Sequence, residues 1–246
     1  MRNEGNEILR LLDEGDHLNA LKRCEELVSE FMTSFMEELT VNTATDYVGS
    51  VILYAKICAI VKKPWKAFPK LESARGALRF LKDYMIDRET LAETHVSFAD
   101  AYAHGCYFPE AVQCYFEAAN FFESKDLSLD ALSSAFFYQA RFGKELLVDL
   151  GQLEEKYGSN KILELKDIAR KEVETQIKTD PVEATDAFLK IRYQAEEATD
   201  AIVSNAKEND LPFCSLYWNT KKSVLKDNFG IEWKTPAEMN PNIRFY

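Results

Sequence analysis

Four side chains able to do chemistry fall within one short stretch of the chain: His95, Asp100, His104 and Cys106. Residues three or four apart share a helix face, so Asp100 and His104 meet there, and an imidazole beside a thiolate is a donor pair that suits zinc. His95 precedes His104 by nine residues, more than two helical turns, and spacing alone does not bring it to the same point. A metal-binding protein or enzyme centred on His95, His104 and Cys106 is therefore the alternative reading. Other catalytic signatures are missing from the sequence: no glycine-rich phosphate loop, no Gly-x-Ser-x-Gly elbow, no Cys-x-x-Cys pair and no His-Glu-x-x-His. The leading expectation is a non-enzyme with no catalytic residues, metal or cofactor.

Charge narrows the partners. A formal net charge of −11 disfavours a nucleic-acid backbone and an anionic membrane surface, both of which require a basic stripe. The most lipid-like run, Tyr47–Val61, is too short to span a bilayer and contains Lys56. The opening MRNEGNEILRLLDEGD is polar and acidic, without the apolar core of a targeting segment. The five cysteines are odd in number and scattered, which suggests reduced thiols and a cytoplasmic protein.

Helices carry these residues. Within His95–Lys125, Phe98 and Tyr102 lie on one face of a first segment, and Ala111, Tyr115, Ala118 and Phe122 form a stripe on a second. Gly105 permits a reversal between them, and Pro109 suits the first turn of the second helix. This stretch resembles a tetratricopeptide repeat, a helix–turn–helix unit of about 34 residues. Tyr102, Ala111, Tyr115 and Ala118 fall at that motif's spacing, with Phe108 as the aromatic before the second helix. Gly105 stands one residue early, and His95 fills the slot where the pattern prefers Trp. The segment Ile8–Val28 resembles a second copy, with Leu11, a Gly15–Asp16 turn, and Ala20, Cys24 and Leu27 on its stripe.

The stripe continues through Phe31, Phe35 and Leu39, so that helix outruns a standard repeat. Val41–Ala44 reads as a break, with Thr45 or Asp46 capping a buried helix Tyr47–Val61. Its partner is a helix over about Lys66–Tyr84. Asp87 reads as the cap of the next helix, and Leu127–Leu150 as a further irregular hairpin or one long helix. Gly151–Asn160 is the candidate boundary. Beyond it, Lys161–Lys178 is expected to pair antiparallel with a helix opened by Asp180-Pro181-Val182-Glu183, followed by a turn at Asn209–Pro212 and a last helix to Asn228.

These readings give an all-α fold: a tetratricopeptide-like helical hairpin array over residues 1–150, then a C-terminal helical hairpin, last helix and ordered tail over 161–246. In the tetratricopeptide family the first helix of each repeat lines a concave groove, and the resemblance places Glu93, Val96, Ser97, Asp100 and His104 there. It implies a protein- or peptide-binding scaffold. The acids at Glu93 and Asp100 depart from the Lys and Asn with which some members clamp a terminal carboxylate, and suit a basic or neutral partner. In the tail, Phe229, Trp233, Phe245 and Tyr246 carry too much aromatic surface to stay in solvent. From Ser215 onward five basic residues face three acids, so the tail is drawn to its own acidic body or to a neighbour, making a self-associating structural protein a further alternative. Trp218 and Trp233 could line a small-molecule pocket, but a hydrophobic lid over the end of the array is the plainer account.

Overall fold

The structure, a computed structural model, describes residues 2–84, 87–205 and 213–245. Among these the chain is all-α, with no strand: α1 (Arg2–Asp13), α2 (His17–Glu37), α3 (Val41–Ile60), α4 (Phe68–Tyr84), α5 (Arg88–His104), α6 (Phe108–Phe121), α7 (Lys125–Phe142), α8 (Gly151–Tyr157), α9 (Ser159–Glu174), α10 (Asp186–Asn205), α11 (Phe213–Phe229) and α12 (Pro236–Met239). Short 3-10 turns at Pro64–Ala67 and Pro181–Ala184 precede α4 and α10. No helix is long and apolar enough to cross a membrane among the described residues.

Local chemistry sets the helix starts. Asp87 accepts the backbone N–H groups of Glu89 and Thr90 and takes the Thr90 hydroxyl at 2.6 Å, supplying three bonds to the first turn of α5. At α3 the cap is Thr40, reciprocally bonded with Thr43, so the helix begins at Val41 and the expected break at Val41–Ala44 is its first turn. The earlier helix correspondingly stops at Glu37, leaving Leu39 exposed instead of on the buried stripe. Gly151–Asn160 is also helical for most of its length: Leu153 is fully buried and anchors α8, and the irregular segment lies at 143–150.

Each helix from α1 to α7 packs on the next, and α7 then packs on α9. The predicted stripe of α6 is buried, with Ala111 and Ala118 fully so beside Tyr115 and Phe122. Alanines let helix axes approach, and rings fill the space beside them. One hydrophobic core runs from Ile8 through this series and on through Leu153, Ile162, Leu165 and Ala169. A second, smaller core gathers Phe188, Ala195, Val224, Leu225 and Trp233 from α10, α11 and the tail.

The segment expected to pair with α10 therefore packs elsewhere. The apolar face of α9 completes the first core against α7, and α10 pairs with α11. Both arrangements satisfy the same periodic stripe, so periodicity could not choose between them. The tail docks on its own chain. Asn240 accepts the Lys178 N–H at 2.9 Å and donates to the Lys178 carbonyl at 2.8 Å, and Phe245 meets Trp218 edge to face. The turn expected at 209–212, and Tyr246, lie outside the described residues.

Candidate functional site

The α5 residues implicated by the repeat resemblance form a strip along one side of the helix. Glu93, Asp100 and His104 are exposed, and Val96 and Ser97 are half-buried between them. The opposite side carries Leu91, Ala92, Phe98, Ala99 and Tyr102 into the core. Asp100 accepts the Tyr115 hydroxyl, and Tyr115 stacks on Tyr138 of α7 with centroids 5.6 Å apart, so the carboxylate is fixed by α6 and backed by α7. His104 Nδ1 lies 2.7 Å from the Asp100 carbonyl, which holds the ring at the C-terminal end of the strip.

His95 points away from this strip. It is 2 % exposed, its ring packs on Phe121, and its Nδ1 lies 3.4 Å from Glu117 Oε2 without forming a hydrogen bond. Burial pushes its pKa down to about 4, with the charge of Lys82 acting in the same direction, so the ring is neutral at pH 7. His95, Asp100, His104 and Cys106 are thus divided among the core, the α5 strip and the turn after α5. Among the described residues no cluster of three or more His, Cys, Asp or Glu is arranged to hold a metal ion.

The turn after α5 has its own geometry. Gly105 has an ordinary φ of −83°, and it is Cys106 that takes the left-handed conformation, at φ 62°. Glycine is needed at 105 for a different reason: a Cβ there would stand 2.7 Å from the Tyr107 ring. That ring is pinned in a stack on Phe68, with centroids 4.0 Å apart, and is covered by the Arg192 guanidinium at 4.3 Å.

Arg192 belongs to α10, which lies across this edge of the array of serially packed helices α1–α7 and α9. It is paired with Glu110 of α6, both side chains being largely buried. Further along α10, Asp200 meets Lys63, with Nζ to Oδ1 at 2.7 Å, and Tyr193 meets the Trp65 ring edge to face. The C-terminal unit is therefore seated on the array by ion pairs and rings along a seam.

The seam is not filled. Two adjoining cavities of about 550 and 280 Å³ lie along it, sharing Cys106, Arg141, Glu183, Glu196 and Lys221 in their walls. The larger is lined by Trp65, Trp218 and Trp233, which are all the tryptophans of the chain, and by Tyr217 and Phe245, with His104 at its edge. Its acids are engaged. Glu183 accepts Trp233 Nε1–H at 2.7 Å, Glu196 accepts Lys221 at 2.5 Å and the Tyr217 hydroxyl, and Asp200 holds Lys63.

Burial raises the Glu183 pKa, opposed by Lys221 and by the Trp233 hydrogen bond. Burial works against the Lys221 charge, but Glu196 and Glu183 outweigh it and the pKa rises. Cys106 is open to the cavity yet walled by protein; that burial pushes its thiol up, with Lys221 and Arg141 opposing and the two acids adding. Among the described residues neither Arg141 nor Lys62 has a carboxylate partner, and Arg141 lies against the Phe108 ring at 5.7 Å from its centroid.

Sequence reasoning missed most of this wall. Glu183 was visible only as part of a helix start, and Glu196 sits in an acidic run indistinguishable from a solvated face. Arg141 has no sequence neighbour that marks it, because the seam joins residues as distant as Lys63 and Ser204, 141 positions apart. Compared with family models, curated proteins and solved structures, the chain matches none.

Proposed function

We propose that this chain is a non-catalytic binding scaffold, a tetratricopeptide-like array in which a basic or neutral segment of a partner protein lies along α5. The array reading is supported by the order of packing, in which successive helices pair and α3 also meets α5 across one intervening helix. The observation that carries the binding reading is the α5 strip itself. Glu93, Asp100 and His104 remain exposed along about 17 Å of a helix otherwise committed to the core, at the helical rise of about 1.5 Å per residue. Asp100 is held in place by Tyr115, so its charge is presented without the loss of side-chain freedom that a mobile acid suffers on binding. Two acids on a rigid face favour cationic partners by complementarity and speed their encounter. Binding without catalysis is supported by the seam chemistry, in which Glu183 and Glu196 are each committed to donors of the same unit.

The test is affinity capture from native cell extract with the full chain and with a Glu93→Lys/Asp100→Lys variant. The reading expects a partner with a basic or neutral contact segment that the wild type retains and the variant loses. Equal retention by both proteins would remove the α5 strip from the account.

A further inference from the structure

We propose that the seam cavity is a binding site for a small organic anion with an aromatic body. The inference is separate from the α5 reading, since it concerns a different class of ligand at a site that shares only His104 with the α5 strip.

Three observations carry it. The first is volume: about 550 Å³, continuous at its wall with a second space of about 280 Å³, lies within the range of about 300–1,000 Å³ typical of small-molecule sites. The second is the lining. Trp65 comes from the turn before α4, Trp218 and Tyr217 from α11, Trp233 and Phe245 from the tail, so five rings from three separate segments converge on one space. Trp65 and Trp233 are themselves buried, while Tyr217, Trp218 and Phe245 stay half-exposed, and rings left facing a cavity retain apolar area that a ligand covers.

The third is charge. Each acid of the larger cavity already has its donor: Trp233 for Glu183, Lys221 and Tyr217 for Glu196, Lys63 for Asp200. The cations are in excess. Arg141 lines both cavities at their join and has no carboxylate partner among the described residues, and Lys62, in the left-handed conformation at φ 61°, lines the larger one in the same state. A guanidinium presents parallel N–H donors that match a carboxylate, and that of Arg141 stands where the two cavities share a wall. A ligand with a ring among the tryptophans and a carboxylate at Arg141 satisfies both features. A cationic ligand would meet no free acid.

The tryptophans make the test direct, because all of the chain's indole fluorescence arises at this cavity. The full chain is titrated with 3-phenylpropionate and with the neutral 3-phenylpropanol, with excitation of tryptophan alone. The expected result is a saturable fluorescence change, with the carboxylate at least tenfold tighter than the alcohol. Arg141→Gln should abolish that preference while leaving alcohol binding within twofold, and Arg141→Lys should keep part of it. Alkylation of Cys106 by iodoacetamide, followed by peptide mass, gives a second readout that needs no variant: 3-phenylpropionate should slow it severalfold. Equal affinity for acid and alcohol, an unchanged preference in Arg141→Gln, or no saturation and no protection of Cys106 by either probe would overturn the proposal. None of these results bears on partner capture by α5, so the two readings fail separately.

Discussion

The array and the seam are held by different forces. In the array, Phe98, Tyr102, Ala111, Ala118 and Leu132 are fully buried and the packing is almost wholly apolar. At the seam, α10 is tied to the array by Arg192 with Glu110 and by Lys63 with Asp200, and to α11 by Glu196 with Lys221. Apolar packing is tolerant of exact geometry and strong in sum, whereas a buried ion pair repays its desolvation only in one arrangement. The array is thus the stable body, and the C-terminal unit is a part placed on it with specific geometry and room left beneath. Half-exposed rings and the cations Arg141 and Lys62 survive at the seam because nothing among the described residues fills that room.

Substitutions in the two regions should differ in size and in kind. Phe98→Ala, which opens a cavity in the array core, should cost about 3–5 kcal/mol and lower the urea midpoint of the helical circular-dichroism transition. Glu110→Ala leaves Arg192 buried without its charge partner and should cost about 3 kcal/mol, lost first from the C-terminal unit. Replacing both by Leu and Met should recover most of that loss, which a urea titration of the single and double variants measures. If the double replacement is as unstable as the single one, the pair is more than a seating device.

Acid separates the regions further. The folded pKa of His95, near 4, lies below its unfolded value, so in acid the unfolded chain takes up the proton first. Its contribution is complete above about pH 6.5 and is lost as pH falls toward 4, at up to about 1.4 kcal/mol per unit. His95→Phe should flatten that part of the stability profile, and an unchanged profile would show that His95 is not the group responsible. The smallest expected effect is at the rim of the seam: Lys63→Ala removes a partly exposed pair and should cost no more than about 1 kcal/mol in the same titration.

The helices and their buried faces were legible in the sequence and the seam was nearly invisible, for a physical reason. The stripe Ala111, Tyr115, Ala118, Phe122 and the cap at Asp87 record local periodicity and local hydrogen bonding, which a linear reading captures. The same reading placed the start of α3 several residues late, because Thr40 and Thr43 cap each other without the acidic residue that marks many such starts. It paired α9 with α10 because their stripes match, although α7 is the partner α9 takes. At the site, the α5 residues could be placed on one face in advance, and Trp218 and Trp233 were recognisable as aromatic surface needing cover. Arg141, Glu183, Glu196 and Lys221 meet only after the C-terminal unit has docked, and no spacing in the chain encodes that meeting.

The distinction between body and seated part is tested most directly by urea unfolding of the wild-type chain followed with two probes. Helical circular dichroism reports chiefly on the array, while fluorescence reports on tryptophans that all line the seam. The fluorescence transition should come first, at lower urea, with most of the helical signal still present. Superimposed transitions would contradict it, since they would mean that the C-terminal unit and the array form a single cooperative body.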